Sequence, residues 1–593
     1  MVESNLNSVL PRLLGFPLPE AVEGALERAL GIRDVRRVYN TLTAGADERP
    51  IAEKLLQFLE VEYSASQRDL DHIPDKGPAV IVVNHPFGIL EGAVLATLLS
   101  RVRADVKFLA NGILTAIPEI RDLLISVDPM GHASATQANP GGLKKALRFV
   151  RQGGLLVIFP AGEVSHFQWK QRGITDPQWN VAVARILEMA GRRAPELVVV
   201  PAYVDGANSV LFQLLGLLHP RLRTAWLARE LLNKRRASVD VRAGSAISIS
   251  KLLAIPTNEE RIAYLRWRAY LLAERNGFKA QTNLPLPRRK PHSGHMEPIA
   301  PPPAADALTA EVARLAPERM LDRSGNLVVY LTPAAEIPTV LAEIGRLREI
   351  TFRAAGEGTG KASDLDDFDS HYLHLFVWSE KHNELVGAYR LAATDSARAR
   401  LYTATLFQYS HAFLDRMGPA LELGRSFVHP QYQKSFSAML LLWKGIGKYV
   451  ARNPRYRVLF GAVSISNQYQ SISRRLMVSF LERHALLKDW AGLVRVRNPF
   501  RSGPPDELPQ AVLDIKDLAT VVSDIEPQQA GVPILLRQYL KLGGKLLGFN
   551  LDPDFSNVLD GLILVDLTKT EPKLLERYLG TNEAAAFLAF HRG

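Results

Sequence analysis

The 593-residue chain contains no cysteine, which excludes disulfides, thiolate metal sites and a cysteine nucleophile together. It lacks any run of about 18 uninterrupted apolar residues, so no spanning helix is expected. The opening VESNLNSVLPRLLG after Met1 has neither a basic n-region nor a small-residue cleavage site, which speaks against secretion. Acidic residues are outnumbered by basic ones, 61 against 72, leaving a net charge of +11. Such a balance favours a polyanionic neighbour: nucleic acid, an anionic bilayer or an acidic carrier protein. No zinc spacing, RNP-like stretch or basic patch interleaved with aromatics is found, so neither a metal nor a nucleic acid is expected. What is present, 47% hydrophobic and 22% charged residues, is the composition of a folded protein long enough for two or more cores.

One stretch breaks the pattern. LPLPRRKPHSGHMEPIAPPPAADA is dense in proline and has no periodic apolar face, so residues 284–308 are read as an extended linker. Before it lie a helical segment, 1–60, and a domain over 61–283, where the apolar runs AVIVV, VKFLA, GLLVIF and LVVVPAYV alternate with amphipathic stretches. Buried strands separated by helices predict an α/β sheet covered on both faces. After the linker, 309–593 shows strand-like LVVYL, HLFVW, ELVGAYRLAATD, YRVLFGAVSI and GLILVDL, with a helix over AMLLLWKGIGKYVARN, which predicts a mixed α/β domain.

In α/β proteins the reaction crevice lies beyond the carboxyl ends of the strands. In GPAVIVVNHPFGILEG the strand ends on Asn84 and His85, with Glu91 close behind. A neutral imidazole there can take a proton from a hydroxyl, and a carboxylate can fix its tautomer. FLANGILTAIPEIRDLLISVDP, VIFPAGEVS and VVVPAYVDGANS follow in that order. Together these fragments resemble the lysophospholipid and glycerol-3-phosphate acyltransferases, whose blocks run NH-x4-D, F-I-x-R, FPEGTRS and a late block around an exposed proline; the resemblance covers roughly 60–280. It implies acyl transfer from a thioester to a hydroxyl, with His85 as base and with Asn84, Asn111, Phe159, Pro160, Gly162, Glu163, Ser165 and Pro201 at the substrate. The sequence departs from the pattern: the family's acid falls on Leu90, with Glu91 one residue on as the candidate. Ala161, Glu163 and Val164 replace Glu, Thr and Arg, and Asn111 replaces the other Arg. A guanidinium fork is the natural partner of a phosphate, so losing both predicts a lipid-like acceptor with a hydroxyl and no phosphate monoester. NHPFG and FPAGEVS look like the hemolysin-labelled subgroup that includes acyltransferases making ornithine lipids.

In the second half, LREITF, SDLDDFDSHYLHLFV, VGAYRL and ALELGRSFVHPQYQK resemble, over roughly 325–590, the acyl-carrier-protein-dependent branch of GNAT-like N-acyltransferases. That branch includes the ornithine N-acyltransferases. The resemblance places Arg348 and Phe352 on a helix, Asp366 and Asp369 in an acidic loop, Arg390 at the end of a central strand, and Glu422 and Arg425 on the ELGRSFV strand. It implies Glu422 as the base for the amine, Arg348, Phe352, Asp366, Asp369, Arg390 and Arg425 at the substrate, and backbone amides near Phe427 and Val428 at the thioester oxygen. QKSFSA has Phe436 where a CoA-binding loop carries glycine; a phosphopantetheine arm needs less of that cradle, so acyl carrier protein is favoured as donor and no bound cofactor is expected.

The expected fold is therefore α/β, an N-terminal glycerolipid-acyltransferase-like α/β domain linked to a C-terminal GNAT-like mixed α/β domain. Its expected function is that of a bifunctional ornithine lipid synthase. The C-terminal domain would N-acylate ornithine with a 3-hydroxyacyl group, and the N-terminal domain would O-acylate the lyso-lipid. Glycine, lysine or glutamine as head group, and a lysophospholipid acyltransferase with an inactive C-terminal domain, are the alternatives; the aspartates at 364, 366, 367 and 369 lean towards a cationic amino acid. The Leu-rich SVLFQLLGLLHPRLRTAWLARELLNKRR, residues 209–236, with its Trp and basic end, fits an interfacial element, so the chain is expected to be cytoplasmic and peripheral on the inner face of the bacterial cytoplasmic membrane.

Overall fold

The computed structural model describes residues 20–44, 47–111, 114–115, 117–127, 140–275, 296–397, 400–500, 508–526, 531–553, 555 and 557–592. The chain divides into two compact units, Met1–Phe278 and Lys279–Gly593.

In the first unit the β-branched runs form the centre of a mixed sheet. Its strands are β1 (Glu62–Ser64), β2 (Ala79–Val83), β3 (Val106–Asn111), β4 (Leu124–Val127), β5 (Leu155–Ile158), β8 (Val198–Val204), β9 (Ser238–Ala243) and the short β10 (Ile247–Ser248), with β6 (His166–Gln168) and β7 (Gly173–Thr175) forming a separate hairpin. The order is β1-β9-β8-β2-β5-β3-β4. β2 and β5 are buried throughout and lie side by side in parallel, as do β2 and β8. Parallel strands covered on both faces need such continuous apolar runs. The β8–β9 pair is antiparallel, which makes the sheet mixed. Helix α1 (Leu90–Leu99) leaves the end of β2, and its Leu90, Val94, Leu95 and Leu98 join the core that β2 contributes to. The N-terminal segment is helical over Glu20–Ala29, Ile32–Thr43 and Ile51–Phe58.

The second unit is built on one eight-stranded sheet: β11 (Met320–Ser324), β12 (Leu327–Pro333), β13 (Leu373–Ser379), β14 (Glu384–Ala393), β16 (Ala420–Val428), β17 (Val458–Ile465), β20 (Val558–Asp566) and β19 (Lys545–Asp552), in that order. Every neighbour is antiparallel except β16 and β17. That parallel ladder runs only from Ala420↔Val458 to Glu422↔Phe460, while β16 stays paired with β14 as far as Val428. From Leu423 onward the two parallel strands therefore part. Arg425 adopts φ 50° where the β14–β16 register shifts, and this bulge turns its side chain out of the regular alternation. Two further strands, β15 (Phe407–Tyr409) and β18 (Val494–Val496), pair with each other. The expected helix over AMLLLWKGIGKYVARN is Phe436–Arg452, capped by the Ser435 side chain.

The expected linker end at 308 differs from the observed one. Glu297 N and Ala300 N donate to Gly360 O and Ala362 O, both at 2.9 Å, and a helix begins at Ala305. The prolines at 301–303 thus lead into structure of the second unit. Residues 284–295 of the expected linker, and 276–283 before it, lie outside the described residues.

Gly461 marks the point of parting: a Cβ there would stand 2.2 Å from Leu423 O. Gly461→Ala is expected to force β16 and β17 apart and to cost about 1–3 kcal/mol in a denaturant titration; an unchanged midpoint would mean the strands do not need this close approach.

Candidate active sites

His85 stands two residues beyond β2, and α1 brings Glu91 to it. His85 Nδ1 lies 2.6 Å from Glu91 Oε1, and the same oxygen accepts from Phe87 N at 3.1 Å and Gly88 N at 2.9 Å. Gly88, at φ 104°, allows the turn that points both amides at one carboxylate. The expected shortfall at Leu90 is thereby explained. Leu90 is committed to the core, and the longer Glu91 reaches His85 from the first helical turn, where the helix dipole also favours a carboxylate. Burial alone would lower the His85 pKa; the charge and hydrogen bond of Glu91, with Asp176 behind, carry it above the usual imidazole value. Burial likewise opposes Glu91 ionisation, but the pairing with His85 and the Gly88 amide bring its pKa below the usual carboxylate value. With Nδ1 engaged, Nε2 is the nitrogen able to take a proton.

Several residues expected at the substrate serve the backbone instead. Asn84 exchanges hydrogen bonds with Val204, donating to its carbonyl at 2.9 Å and accepting from its amide at 2.7 Å, and so locks β2 to β8. Ser165 is buried, donates to Asp176 Oδ1, and sends its amide to His85 O at 2.7 Å. Pro201, expected to be exposed, is buried within β8 opposite Val82; its carbonyl accepts from Gly244 N. Pro160 O accepts from Asn180 N, and Gly162, at φ 67°, turns back to bond Phe159 O. Phe159 is at the site: its ring lies 4.4 Å from that of His85, centroid to centroid. Glu163 accepts from Arg223 Nη2 at 2.8 Å. The side chain of Asn111 lies outside the described residues.

Asp176 went unnoticed in the sequence, since GITDPQW carries no spacing that marks it. It is fully buried and accepts from His85 N at 3.1 Å and Trp179 Nε1 at 2.8 Å. By also holding Ser165 it joins the loops after β2 and β5.

In the second unit the named residues converge, but on one another. Arg348 and Phe352 lie on α2 (Pro338–Ala354). Arg348 Nη1 donates to Asp364 O at 3.0 Å and to Asp369 at 3.2 Å. Arg390 bonds Asp366 at 2.6 Å and lies 3.2 Å from Asp369. Arg425 is 3.7 Å from Asp364 and 3.6 Å from Asp366. The guanidiniums of Arg390 and Arg425 both lie 5.0 Å from the centre of the Tyr402 ring. Asp369, which burial alone would push up, is held well below the usual carboxylate range by Arg348 and Arg390. This corrects the expectation that Asp366 and Asp369 hold a substrate amine. Three arginines neutralise Asp364, Asp366 and Asp369, so these three offer no surplus negative charge for a cationic amino acid; the fourth aspartate of the loop, Asp367, is exposed.

Glu422 is also corrected. It is buried, and its oxygens accept from the Tyr372 hydroxyl, from Thr403 N at 2.6 Å and from Tyr402 N at 3.2 Å. A carboxylate with three donors anchors the 402–403 turn and is poorly placed to receive a substrate proton. The sequence did not reveal a different acidic group: Glu357, Asp552 and Asp560. Ser464, near the open end of β17, donates to Glu357 at 2.8 Å. Burial pushes the Glu357 pKa up to about 7, against the Ser464 bond and Arg425. Asp560, opposite Ser464 in the β17–β20 ladder, is pushed well above its usual value by burial and by Asp552 and Glu357. Phe352 meets Phe555 edge-on at 5.4 Å, and Arg425 lies 4.5 Å from the centre of the Phe555 ring.

A sheet with a histidine–carboxylate pair at its strand ends, and a second sheet whose two parallel strands splay apart, define an acyltransferase with two different acyl-transfer folds. Residues 14–280 match a family described as Acyltransferase, and residues 347–444 match the acetyltransferase (GNAT) domain. The glycine N(alpha)-acyltransferase of Bacteroides thetaiotaomicron is 32% identical over 46% of this chain and 86% of its own length, and the chain belongs to that acyltransferase family. The L-ornithine N(alpha)-acyltransferase of Rhodobacter capsulatus is 28% identical over 39% of this chain and 88% of its own. The lyso-glycine lipid O-acyltransferase of Phocaeicola vulgatus is 25% identical over 33% and 67%.

Three outcomes are expected. Acyl transfer that depends on His85 should fall on acidification with an apparent pKa above the roughly 6.5 of free imidazole. Glu91→Gln should move that limb to lower pH, because the charge that favours imidazolium is gone; a limb that stays put would separate Glu91 from the titration. Glu422→Ala should destabilise the second unit by about 3 kcal/mol, since it leaves buried donors unmatched, as read by urea unfolding.

Proposed function

We propose that the chain makes an amino-acid lipid in two acylations. The second unit N-acylates the amino acid with a 3-hydroxyacyl group from acyl carrier protein, and the first O-acylates the 3-hydroxyl of the product. The His85–Glu91 pair carries the O-acyl half: Nε2 takes the hydroxyl proton as the oxygen attacks the thioester carbonyl, Glu91 steadies the imidazolium, and the proton passes to the carrier's sulfur as the C–S bond breaks and the thiol leaves. For the N-acyl half, Glu357 is the better proton acceptor, because its basicity is matched to an ammonium near neutral pH and it sits beside the splayed strands. Amides of β16 past Leu423 that face away from β14 would meet the thioester oxygen.

Ornithine is the head group in this reading. The Rhodobacter relative is named for ornithine. Glycine is the second reading, favoured by the higher identity to the Bacteroides enzyme.

The lipid is reached from a surface. Among the described residues no helix is long and apolar enough to cross a membrane. Helix α3 (Val210–Leu218) exposes Val210, Leu211, Leu214, Leu217 and Leu218 on one face, and Trp169 of the β6–β7 hairpin is 73% exposed beside it; Phe167 N donates to Gln213 of α3. This apolar patch is proposed to lie in the headgroup layer. The basic end contributes less than expected, because Arg235 and Arg236 both pair with Glu60.

Lipids of a host lacking aminolipids, analysed by mass spectrometry, provide the test. The intact chain should yield a diacylated ornithine lipid, His85→Ala the monoacyl form, and Glu357→Gln neither. Glycine lipid instead would select the second reading; altered phospholipids with no amino-acid lipid would overturn both. Leu214→Asp with Leu217→Asp should abolish co-sedimentation with anionic vesicles, and undiminished sedimentation would move the contact elsewhere.

A further inference from the structure

The two arginines that the sequence lacks at Asn111 and Val164 leave the first unit with a question: what meets the charged end of its acceptor? On the O-acyl-transfer reading, which this inference deepens, that acceptor is an N-acylated amino acid. It carries a free carboxylate a few bonds from the reacting hydroxyl.

Helix α4 (Pro220–Asn233) crosses the site. Its Leu227 packs at the His85 loop, where a Cβ on Gly88 would stand 3.0 Å from Leu227 Cδ2 and 3.1 Å from Val164 Cγ2. One helical turn earlier, on the same face, Arg223 donates to Glu163 at 2.8 Å. Glu163 is two residues before Ser165, whose amide bonds the His85 carbonyl. Three segments thus converge, and Arg223 is delivered to the loop beside His85 by an element that the acyltransferase motifs do not include. Gly216 of α3 makes room for it, since a Cβ there would stand 3.0 Å from Arg223 Cδ.

The pair is lopsided. The Arg223 side chain is 8% exposed and that of Glu163 60%. A guanidinium withdrawn from water needs an anion, whereas a carboxylate still in water gains little from the pair and yields readily to a second carboxylate arriving with the acceptor. Lys234, just past α4, is already committed: it donates to Ala207 O at 2.8 Å, lies 3.6 Å from Glu230 and sits 5.0 Å from the centre of the Phe87 ring.

We propose that Arg223 binds the free carboxylate of the N-acyl amino acid, displacing Glu163, and so orients the 3-hydroxyl towards His85. One planar fork matches one carboxylate.

The test uses the full chain with acyl carrier protein as donor and two acceptors, an N-(3-hydroxyacyl) amino acid and its methyl ester. The intact protein should prefer the free acid by on the order of 10–100-fold in kcat/KM, the worth of a hydrogen-bonded charge. Arg223→Gln should lose that preference through a raised acceptor KM, leaving turnover of the ester and the KM for donor unchanged; Arg223→Lys should restore part of it. Equal use of acid and ester by the intact protein, or equal loss on both in Arg223→Gln, would overturn the inference alone. A raised donor KM in that variant would also overturn it, by assigning Arg223 to the carrier's phosphodiester. Acylation of neither acceptor by the intact protein would overturn the O-acyl reading and this inference together.

Discussion

Ionised groups leave water only at a cost of several kcal/mol each unless their counter-charges leave with them, and both candidate sites are built around that constraint. In the first unit it fixes a single oxygen. Glu91 Oε1 collects the imidazole and two backbone amides, and this convergence sets the turn after β2, the start of α1 and the orientation of His85 at once. In the second unit it binds α2, the 364–369 loop, β14 and the bulge in β16 into one network of three arginines and three aspartates. Removing any one of these charges strands another in a buried setting. That explains why residues spread from 348 to 425 depend on one another.

The constraint also explains what could be read from the sequence. The strands were legible because β-branched runs too apolar for a surface can only be interior, and His85 was legible because it ends such a run. The balance of the acidic loop was not. Its aspartates are clustered within six positions, whereas the arginines that neutralise them come from a helix and two strands far apart in the chain, so the loop alone suggests a cation site that the fold has already filled. Asn84, Ser165, Pro201 and Glu422 were misread for a related reason. A motif marks positions that matter without saying whether the side chain faces a substrate or a backbone amide. Asp176, Arg223 and Glu357 could not be found by spacing, because only tertiary contact joins them to anything chemical.

The proposed reactions need bases of different kinds, and the two units differ accordingly. A hydroxyl gives up its proton only as it attacks, so its base must accept charge in the transition state and needs a counter-ion already in place; an imidazole held by Glu91 supplies that. An ammonium loses its proton before attack and needs a base close to neutrality, which a carboxylate becomes when burial opposes its charge, as at Glu357. Pairing a group with an opposite charge and withdrawing it from water are opposite uses of the same low-polarity interior. The first makes an imidazole more basic, the second a carboxylate, and each suits the nucleophile assigned to its own unit.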